Sequence, residues 1–381
     1  MAARSAAFKR PAAFNHPAGR KRPAVLKRPA AKTGRPCKWV QLDTLPGSGI
    51  KALPKGAAML VRTAIDGVDR KNSRHGDEYV LKKMFVEKPY DRALRRLRRA
   101  RGADPKALFC NRVVFDLGAN VCGFAARASW GGATHVVAVE ADPETARIGE
   151  ANLKACERVE LRCAAMVSRA QRRRAEGLVL LPHKASGDGV QPLKPNRSSL
   201  VDDGAVNTRQ CSERLKVRIP LRNQLTWPEL LDGSKPPGGA ARCARGSLGV
   251  MVKMDIEGSE RDVILEAWGP LKASFAQLGR RWRLEEGADL ELLVYYHVDK
   301  YPLLRDLDRF LTSVEREFET VIVEWTPMVP DGDKEPVGSE WYRWREKVRQ
   351  SDGSCLRGKT DIGLASAKKD ILVACAGLRG V

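Results

Sequence analysis

The sequence predicts an α/β fold, in which a doubly wound, Rossmann-like sheet of seven strands carries helices on both faces. Short segments rich in Val, Ile and Leu alternate with stretches of helical periodicity. The first such apolar segment runs into a glycine-containing turn and an Ala-rich helix, and two later ones end in carboxylates. Because crossovers between parallel strands are right-handed, this spacing predicts a doubly wound sheet, and we expect its last strand to be antiparallel.

We predict one folded domain over 78–381, with a motif-bearing core at 105–325 and an irregular, turn-rich insertion at 169–249. Within the insertion, a strand at 215–221 and a short helix from Trp227 are expected. After the strand that begins at Val113, the predicted strands span 134–140, 159–167, 249–254, 289–298, 320–325 and 371–375.

An arginine-rich helical segment precedes the first strand. From 78 to 101 apolar residues recur at helical spacing, with an interruption at Pro89, and Leu94 and Leu97 are expected to cover the first strand. The six arginines between 92 and 101 suit either phosphate contacts or the solvated face of a helix.

The net charge of +22 is unevenly distributed. Eleven Lys and Arg residues and no acidic residue precede Asp43. This segment therefore carries half of the net positive charge. Residues 1–55 repeat Lys-Arg-Pro-Ala three times and are poor in apolar side chains, so we predict a disordered basic tail. Such a tail suits a nuclear import receptor, a nucleic acid or an organelle import pathway, and it is equally typical of a solvated segment without a partner.

The cysteines and the hydropathy narrow the class of protein further. Nine cysteines, an odd number without a Cys-x-x-Cys pair, indicate neither a disulfide framework nor a zinc site, so we predict no metal. A reducing intracellular compartment is expected, in the nucleus or the cytoplasm unless the tail directs import into an organelle. No apolar run approaches 18 residues, and we therefore predict a soluble protein with no membrane span.

A short motif lies where the first strand passes into its helix. Gly118-x-Asn120-x-x-Gly123 resembles a dinucleotide fingerprint whose middle glycine, which lets the backbone approach a pyrophosphate, is replaced. Asp116-x-Gly118-x-Asn120 resembles the first motif of S-adenosylmethionine-dependent methyltransferases, where an acid meets the cationic amino-acid end of the cofactor. Since Asn tolerates a left-handed backbone but keeps a Cβ, the residue types favour the second interpretation. A βα connection without a ligand has the same pattern.

The second and third strands extend this prediction. Glu140 ends the second strand 24 residues after Asp116, near the offset at which a βαβ unit delivers a carboxylate to the ribose hydroxyls. A carboxylate at the end of a buried strand is costly unless something polar meets it. At the carboxyl end of the third strand, Ala165 is expected to lie over the adenine.

Charged residues also crowd the end of the fourth strand, at Lys253, Asp255 and Glu257. Side-chain alternation points Lys253 and Asp255 to the same face and Met254 to the other. We predict that Lys253 and Glu257 line a substrate cleft, which His297 reaches from the end of the fifth strand.

Together these motifs resemble the FkbM family of S-adenosylmethionine-dependent methyltransferases. The resemblance rests on 116–120, 139–143 and 225–231 and most specifically on 253–260, whose Lys-Met-Asp-Ile-Glu-Gly-Ser-Glu resembles the family signature Lys-x-Asp-x-Glu-Gly-x-Glu. The family usually has glycine at the position of Cys122, and we expect Gly123 to supply that flexibility one residue later.

The resemblance implies a fold of the class I methyltransferase type, the cofactor S-adenosylmethionine, and methylation of a hydroxyl on a small or sugar-like acceptor. Asp116, Gly118 and Asn120 would hold the methionine end of the cofactor and Glu140 its ribose. Gly123, Ala165 and Asp255 complete the predicted cofactor site.

A hydroxyl acceptor must lose a proton, and His297 and Asp255 are the candidates for accepting it. We predict His297 as the base and Asp255 as a positioning acid. A histidine is neutral near pH 7, whereas an aspartate beside Lys253 is held as a weakly basic carboxylate.

The alternative function is a basic nucleic-acid-binding protein on a catalytically inactive methyltransferase fold. The tail, the arginines of 92–101 and Cys122 favour it, whereas the intact acidic turn from Asp255 to Gly258 opposes it. The sequence does not indicate the oligomeric state.

Overall fold

The computed structural model describes residues 37–42, 57–62, 77–174, 178–182, 198–202, 217–234, 248–256, 259–265, 268–282, 290–296, 304–326 and 370–379. The strands are β1 (Cys37–Gln41), β2 (Ala58–Arg62), β3 (Arg112–Leu117), β4 (His135–Glu140), β5 (Val159–Cys163), β6 (Ala165–Met166), β7 (Leu178–Pro182), β8 (Ser198–Asp202), β9 (Val217–Ile219), β10 (Gln224–Leu225), β11 (Gly249–Met254), β12 (Leu290–Tyr296), β13 (Phe318–Thr326) and β14 (Asp370–Leu378). The helices are α1 (Asp77–Lys82), α2 (Pro89–Ala100), α3 (Gly123–Trp130), α4 (Pro143–Leu153), α5 (Arg169–Arg174), α6 (Trp227–Gly233), α7 (Glu260–Leu265), α8 (Trp268–Trp282) and α9 (Leu304–Glu317), with a π-helical turn at Lys83–Glu87 and a 3-10 turn at Leu221–Asn223. None of the helices in these ranges is long and apolar enough to cross a membrane.

Seven strands form the central sheet in the order β13-β14-β12-β11-β3-β4-β5. The five strands from β12 to β5 are parallel to one another, and β14 lies antiparallel between β12 and β13. The predicted fold class is confirmed: a mixed α/β, Rossmann-like sheet of seven strands with the last one antiparallel. The carboxyl ends of β3, β4 and β11 therefore meet at one edge of the sheet.

Alternation along the strands buries both faces of the sheet. Val113, Phe115 and Leu117 of β3 join an apolar cluster with side chains of α6, α7, α8 and α9. Val114 instead joins a second cluster with side chains of α1, α2, α3 and α4, and Asp116 alternates to that same side. The charged residues at the strand ends lie on this second side of the sheet, which α3 covers.

A hairpin that the sequence did not predict precedes the core. β1 and β2 pair antiparallel, so 37–42 are ordered although they lie within the predicted tail of 1–55. The hairpin is fixed by polar contacts as well as by its apolar Met59 and Val61. The Asn152 side chain bonds to both the N–H and the carbonyl of Leu60, at 2.5 and 3.1 Å. These contacts come from α4, far away in the sequence, and local composition does not reveal them. The Lys-Arg-Pro-Ala repeats lie outside the described residues.

Helix α2 packs mainly against β13 and β14, at the other end of the sheet from β5. Leu94 and Leu97 nevertheless belong to the same apolar cluster as Val114 of the first strand. Arg98 is buried and forms a bidentate pair with Glu291 of β12, both distances being 2.9 Å. Further arginine pairs are Arg92 and Arg96 with Glu324, and Arg95 with Asp91. Four of the six arginines of 92–101 therefore meet carboxylates of the domain itself.

The insertion contains more regular structure than predicted. β7, β8 and β9 form a small antiparallel sheet with β7 in the middle. The predicted third strand is shorter in the central sheet and ends at Cys163, because Ala165 and Met166 pair instead with β10. The short helix expected from Trp227 is present as α6, with a capping box between Thr226 and Glu229.

Candidate functional site

The turn after β3 has a strongly constrained backbone. Gly118, Asn120 and Cys122 have φ values of 73°, 52° and 62°, all in the left-handed region. A Cβ on Gly118 would lie 1.8 Å from the carbonyl oxygen of Asp255, which is backbone and has little room to move. The side chain of Asn120 folds back on the turn and accepts a hydrogen bond from Val121 N at 2.7 Å. Only glycine therefore fits at 118, and the amide side chain of Asn120 closes the turn.

Gly123 does not supply the backbone flexibility that we expected of it. The left-handed conformation falls on Cys122, whereas Gly123 is the first residue of α3 and a Cβ on it would lie 3.3 Å from Met84 Cγ. Cys122 is fully buried, and its sulfur fills the space where a Cβ on Gly149 of α4 would come within 2.5 Å. Gly123 thus serves close packing against the segment before α2, and the strained position is carried by a cysteine.

An ion pair lies directly beneath this turn. Asp116 and Lys253 stand opposite each other on adjacent strands, and their Oδ1 and Nζ atoms are 3.0 Å apart. Lys253 Nζ also donates to the Gly118 carbonyl at 2.7 Å. Burial disfavours the lysine cation, but the carboxylates of Asp116 and Asp255 outweigh it and raise the pKa of Lys253. Burial also raises the pKa of Asp116, against the attraction of Lys253.

This geometry changes the role of two predicted site residues. Lys253 was expected in the substrate cleft, yet its side chain is 3% exposed and its ammonium holds the underside of the turn. Asp116 was expected to meet the cationic end of the cofactor, yet its side chain is 0% exposed and Lys253 already meets its charge. Sequence spacing placed both residues at the right strand ends, but it could not show that they neutralise each other.

Glu140 stands beside the turn at the end of β4. Its two carboxylate oxygens accept hydrogen bonds from Asn120 N at 2.8 Å and from Asp142 N at 2.9 Å. Burial raises the pKa of Glu140 to about 7, although the two N–H donors favour the ionised form. The residue as a whole is partly exposed, although its carboxylate is held close to the backbone of the turn.

Asp255 begins the segment after β11, and both its backbone N–H and its carboxylate are hydrogen-bonded. Its N–H donates to the Leu117 carbonyl at 3.0 Å, and its Oδ2 accepts from the hydroxyl of Tyr90 at 2.9 Å. Burial, followed by the charge of Asp255, raises the pKa of Tyr90 well above its usual value. Sequence reasoning missed Tyr90, because an aromatic residue in the first turn of a distant helix carries no motif.

Two further residues that support the site were missed. Asn152 donates to the carbonyl of Val121 in the turn while it binds the hairpin at Leu60. Arg62 bonds to Asp77 through two nitrogens and donates to Thr145 Oγ1 at 3.0 Å, on the helix that follows Glu140. A buried Asn and a buried Arg on elements far apart in sequence give no local signal.

Of the remaining predicted residues, the structure describes Ala165, which is not part of this set of contacts. Ala165 is buried at the β6–β10 pairing, and the structure gives it no polar role. His297 and Glu257 lie outside the described residues, as does Gly258. Within the described parts of the chain, no group of His, Cys, Asp and Glu side chains is arranged to hold a metal ion.

Comparison with known proteins gives structural matches alone. No protein-family model matches the chain, and no curated protein sequence does. A precorrin-6y C5,15-methyltransferase from Geobacter metallireducens matches with a TM-score of 0.27 and 13% identity over 69% of this chain and 78% of that one. An rRNA methylase from Streptococcus thermophilus gives 0.29 and 8% over 76% and 94%, and a tRNA (m1A58) methyltransferase from Aquifex aeolicus gives 0.25 and 11% over 71% and 65%. Since these TM-scores are below 0.5, the fold assignment rests on the strand order of the protein itself.

The Gly118 contact predicts a large difference between two glycines with similar positive φ angles. Gly118→Ala should unfold the turn or displace Asp255, because its Cβ would meet backbone at 1.8 Å. Gly102→Ala is the matched control, with φ of 68° and nothing within 4 Å of the added Cβ. We expect Gly102→Ala to lower the free energy of unfolding by about 1 kcal/mol and Gly118→Ala by several times more. Equal losses in urea denaturation would contradict the contact.

The buried ion pair predicts non-additive losses. Lys253→Met should lower the free energy of unfolding by about 3–5 kcal/mol, because it leaves the Asp116 carboxylate buried without its partner. Combining it with Asp116→Asn removes that uncompensated charge, and we expect the double variant to regain roughly 1–3 kcal/mol. Additive losses in a denaturant double-mutant cycle would show that the two side chains do not interact.

Proposed function

We propose that the protein is an S-adenosylmethionine-dependent methyltransferase. The observation that carries the proposal is the juxtaposition of the Gly118 turn with the carboxylate of Glu140, which the turn itself holds through Asn120 N. A ribose offers two hydroxyl donors to such a carboxylate. The strand order of the sheet supports the same class.

The shape of the turn supports S-adenosylmethionine over a dinucleotide. Asn120 stands where a dinucleotide site needs a glycine, and its side chain occupies the turn by bonding to Val121 N. A pyrophosphate would have to approach this backbone closely, whereas a nucleoside with an amino-acid group need not. We therefore assign the ribose to Glu140 and the methionine end to the edge formed by Gly118 and Asn120.

S-adenosylmethionine supplies an already activated methyl group when it is bound. The protein must then align an acceptor, exclude water and, for a hydroxyl, take up its proton. We propose that Asp255 is a positioning acid, since both its N–H and its carboxylate are anchored. His297 remains our proposed base and Glu257 a residue of the acceptor cleft. Similarity to the FkbM motifs supports a hydroxyl on a small or sugar-like acceptor.

The nucleic-acid-binding alternative has less support. Arg92, Arg95, Arg96 and Arg98 of α2 pair with carboxylates of the domain, so their charges are partly neutralised before any phosphate approaches. The other basis for this alternative, the tail, lies outside the described residues.

Calorimetric titration with S-adenosylmethionine and with NAD tests the proposed function directly. We expect S-adenosylmethionine to bind and NAD to give no heat beyond dilution. Truncation of residues 1–34 should leave this binding unchanged, because the described contacts of the site begin after that point. Binding of NAD without a response to S-adenosylmethionine would refute the assignment.

The raised pKa of Glu140 predicts how nucleoside binding depends on pH. Ribose hydroxyls donate to the ionised carboxylate, so affinity should be fully present above pH 7 and fall roughly tenfold per pH unit below it. The ligand to use is 5′-methylthioadenosine, which carries the ribose but no titrating amino-acid group. Glu140→Gln should bind weakly with little pH dependence, while Glu150→Gln, on the exposed side of α4, should retain the wild-type profile. A flat wild-type profile would remove Glu140 from the ribose site.

A further inference from the structure

We infer that Tyr90 is a positioning residue for methyl transfer, and that its hydroxyl fixes the carboxylate of Asp255 at the edge of the glycine turn. The inference rests on the function proposed above, and it assigns part of the site to a helix outside the motif-bearing core. Tyr90 lies in the first turn of α2, well before the strand on which the motifs begin.

The contact is direct and the tyrosine has little freedom. Its hydroxyl donates to Asp255 Oδ2 at 2.9 Å, and the side chain is among the largest fully buried ones of the described residues. The ring packs edge-on against Phe124 of α3, with centroids 5.4 Å apart and an interplanar angle of 72°. The ring of Tyr295 lies 6.3 Å from that of Tyr90. The hydroxyl is therefore aimed at Asp255 by packing against two aromatic rings.

The backbone before Tyr90 supports the same conclusion. Lys88 has a left-handed conformation with φ of 50°, and its N–H closes the π-helical turn on the carbonyl of Lys83. Pro89 then starts α2 with its fixed φ. A strained residue followed by a proline sets the position of Tyr90 independently of its own side-chain contacts.

The hydroxyl is a neutral donor within a group of charges. Among the described residues, Lys253 of β11 and Asp116 of β3 act on Asp255 electrostatically, Glu140 of β4 acts on Lys253, Tyr295 with Lys83 over its ring lies beside Tyr90, and Glu260 of α7 accepts from Ile256 N. Because burial and the charge of Asp255 raise the pKa of Tyr90, it stays protonated and keeps donating at any working pH. One oxygen of Asp255 is thus held, and the direction of the carboxylate is fixed.

The test uses the full chain with Tyr90→Phe. Its control is Tyr296→Phe, which removes a hydroxyl from an equally buried tyrosine that stacks on Phe310 on the opposite face. Carbon-13 NMR of aspartate carboxyl groups follows the titration of Asp255, whose signal is identified by its loss in Asp255→Asn. We expect the midpoint to rise by about one pH unit in Tyr90→Phe and to stay in place in the control.

A second readout reports on the site itself. S-adenosylmethionine and S-adenosylhomocysteine differ by the methyl group and its positive charge, so their affinity ratio depends on a fixed carboxylate nearby and not on the ribose. We expect Tyr90→Phe to lower the preference for the charged ligand by roughly three- to tenfold, and the control to leave it unchanged.

The outcomes separate the two proposals. An unchanged Asp255 midpoint in folded Tyr90→Phe overturns the role of Tyr90, whatever the ligands do. Binding of neither ligand to the wild-type protein overturns the proposed function instead, while the midpoint still reports on the contact. If Tyr90→Phe does not fold, Tyr90→Phe combined with Asp255→Asn decides. Restored folding is expected for a hydrogen-bonded pair, and a double variant that also stays unfolded overturns the inference.

Discussion

The ion pair between Asp116 and Lys253 is the interaction on which the candidate site depends. It joins the two central strands of the sheet, and neither charge is tolerable in that buried position without the other. Since the same ammonium holds the carbonyl of Gly118, the pair also sets the height of the turn above the sheet. Asp255 passes directly over Gly118, so its backbone is placed by the same contact. One buried pair of charges thereby determines where the turn and Asp255 stand.

Elements outside the motifs also contact the candidate site. The hairpin reaches the turn through Asn152 and reaches the helix after Glu140 through Arg62. Helix α2 reaches Asp255 through Tyr90. Segments far away in sequence thus hold the motif residues in place. This arrangement is consistent with a second layer of contacts that holds a site in its productive geometry.

Periodicity and strand-end chemistry predicted the sheet well, because each strand of the core is a local apolar run and its last residue is visible in sequence. The pairing of charges was not predictable in the same way. Arg98 and Glu291 are separated by 193 positions, and a single sequence shows an arginine-rich helix rather than a buried bidentate pair. The same holds for the hairpin, whose Leu60 bonds to the side chain of Asn152, 92 positions later in the sequence. The sequence shows which residues are polar, but it does not show which other residue each of them contacts.

The cysteine in the turn has a consequence for how this chain can change over evolutionary time. The turn carries a thiol at 122, and the space for that thiol exists because residue 149 lacks a Cβ. A mutation that adds a side chain at 149 is then acceptable only after the sulfur at 122 is gone, so the order of the two substitutions matters and the pair forms an epistatic unit. The two positions should vary together, and reading either column of an alignment alone would misjudge what the turn tolerates.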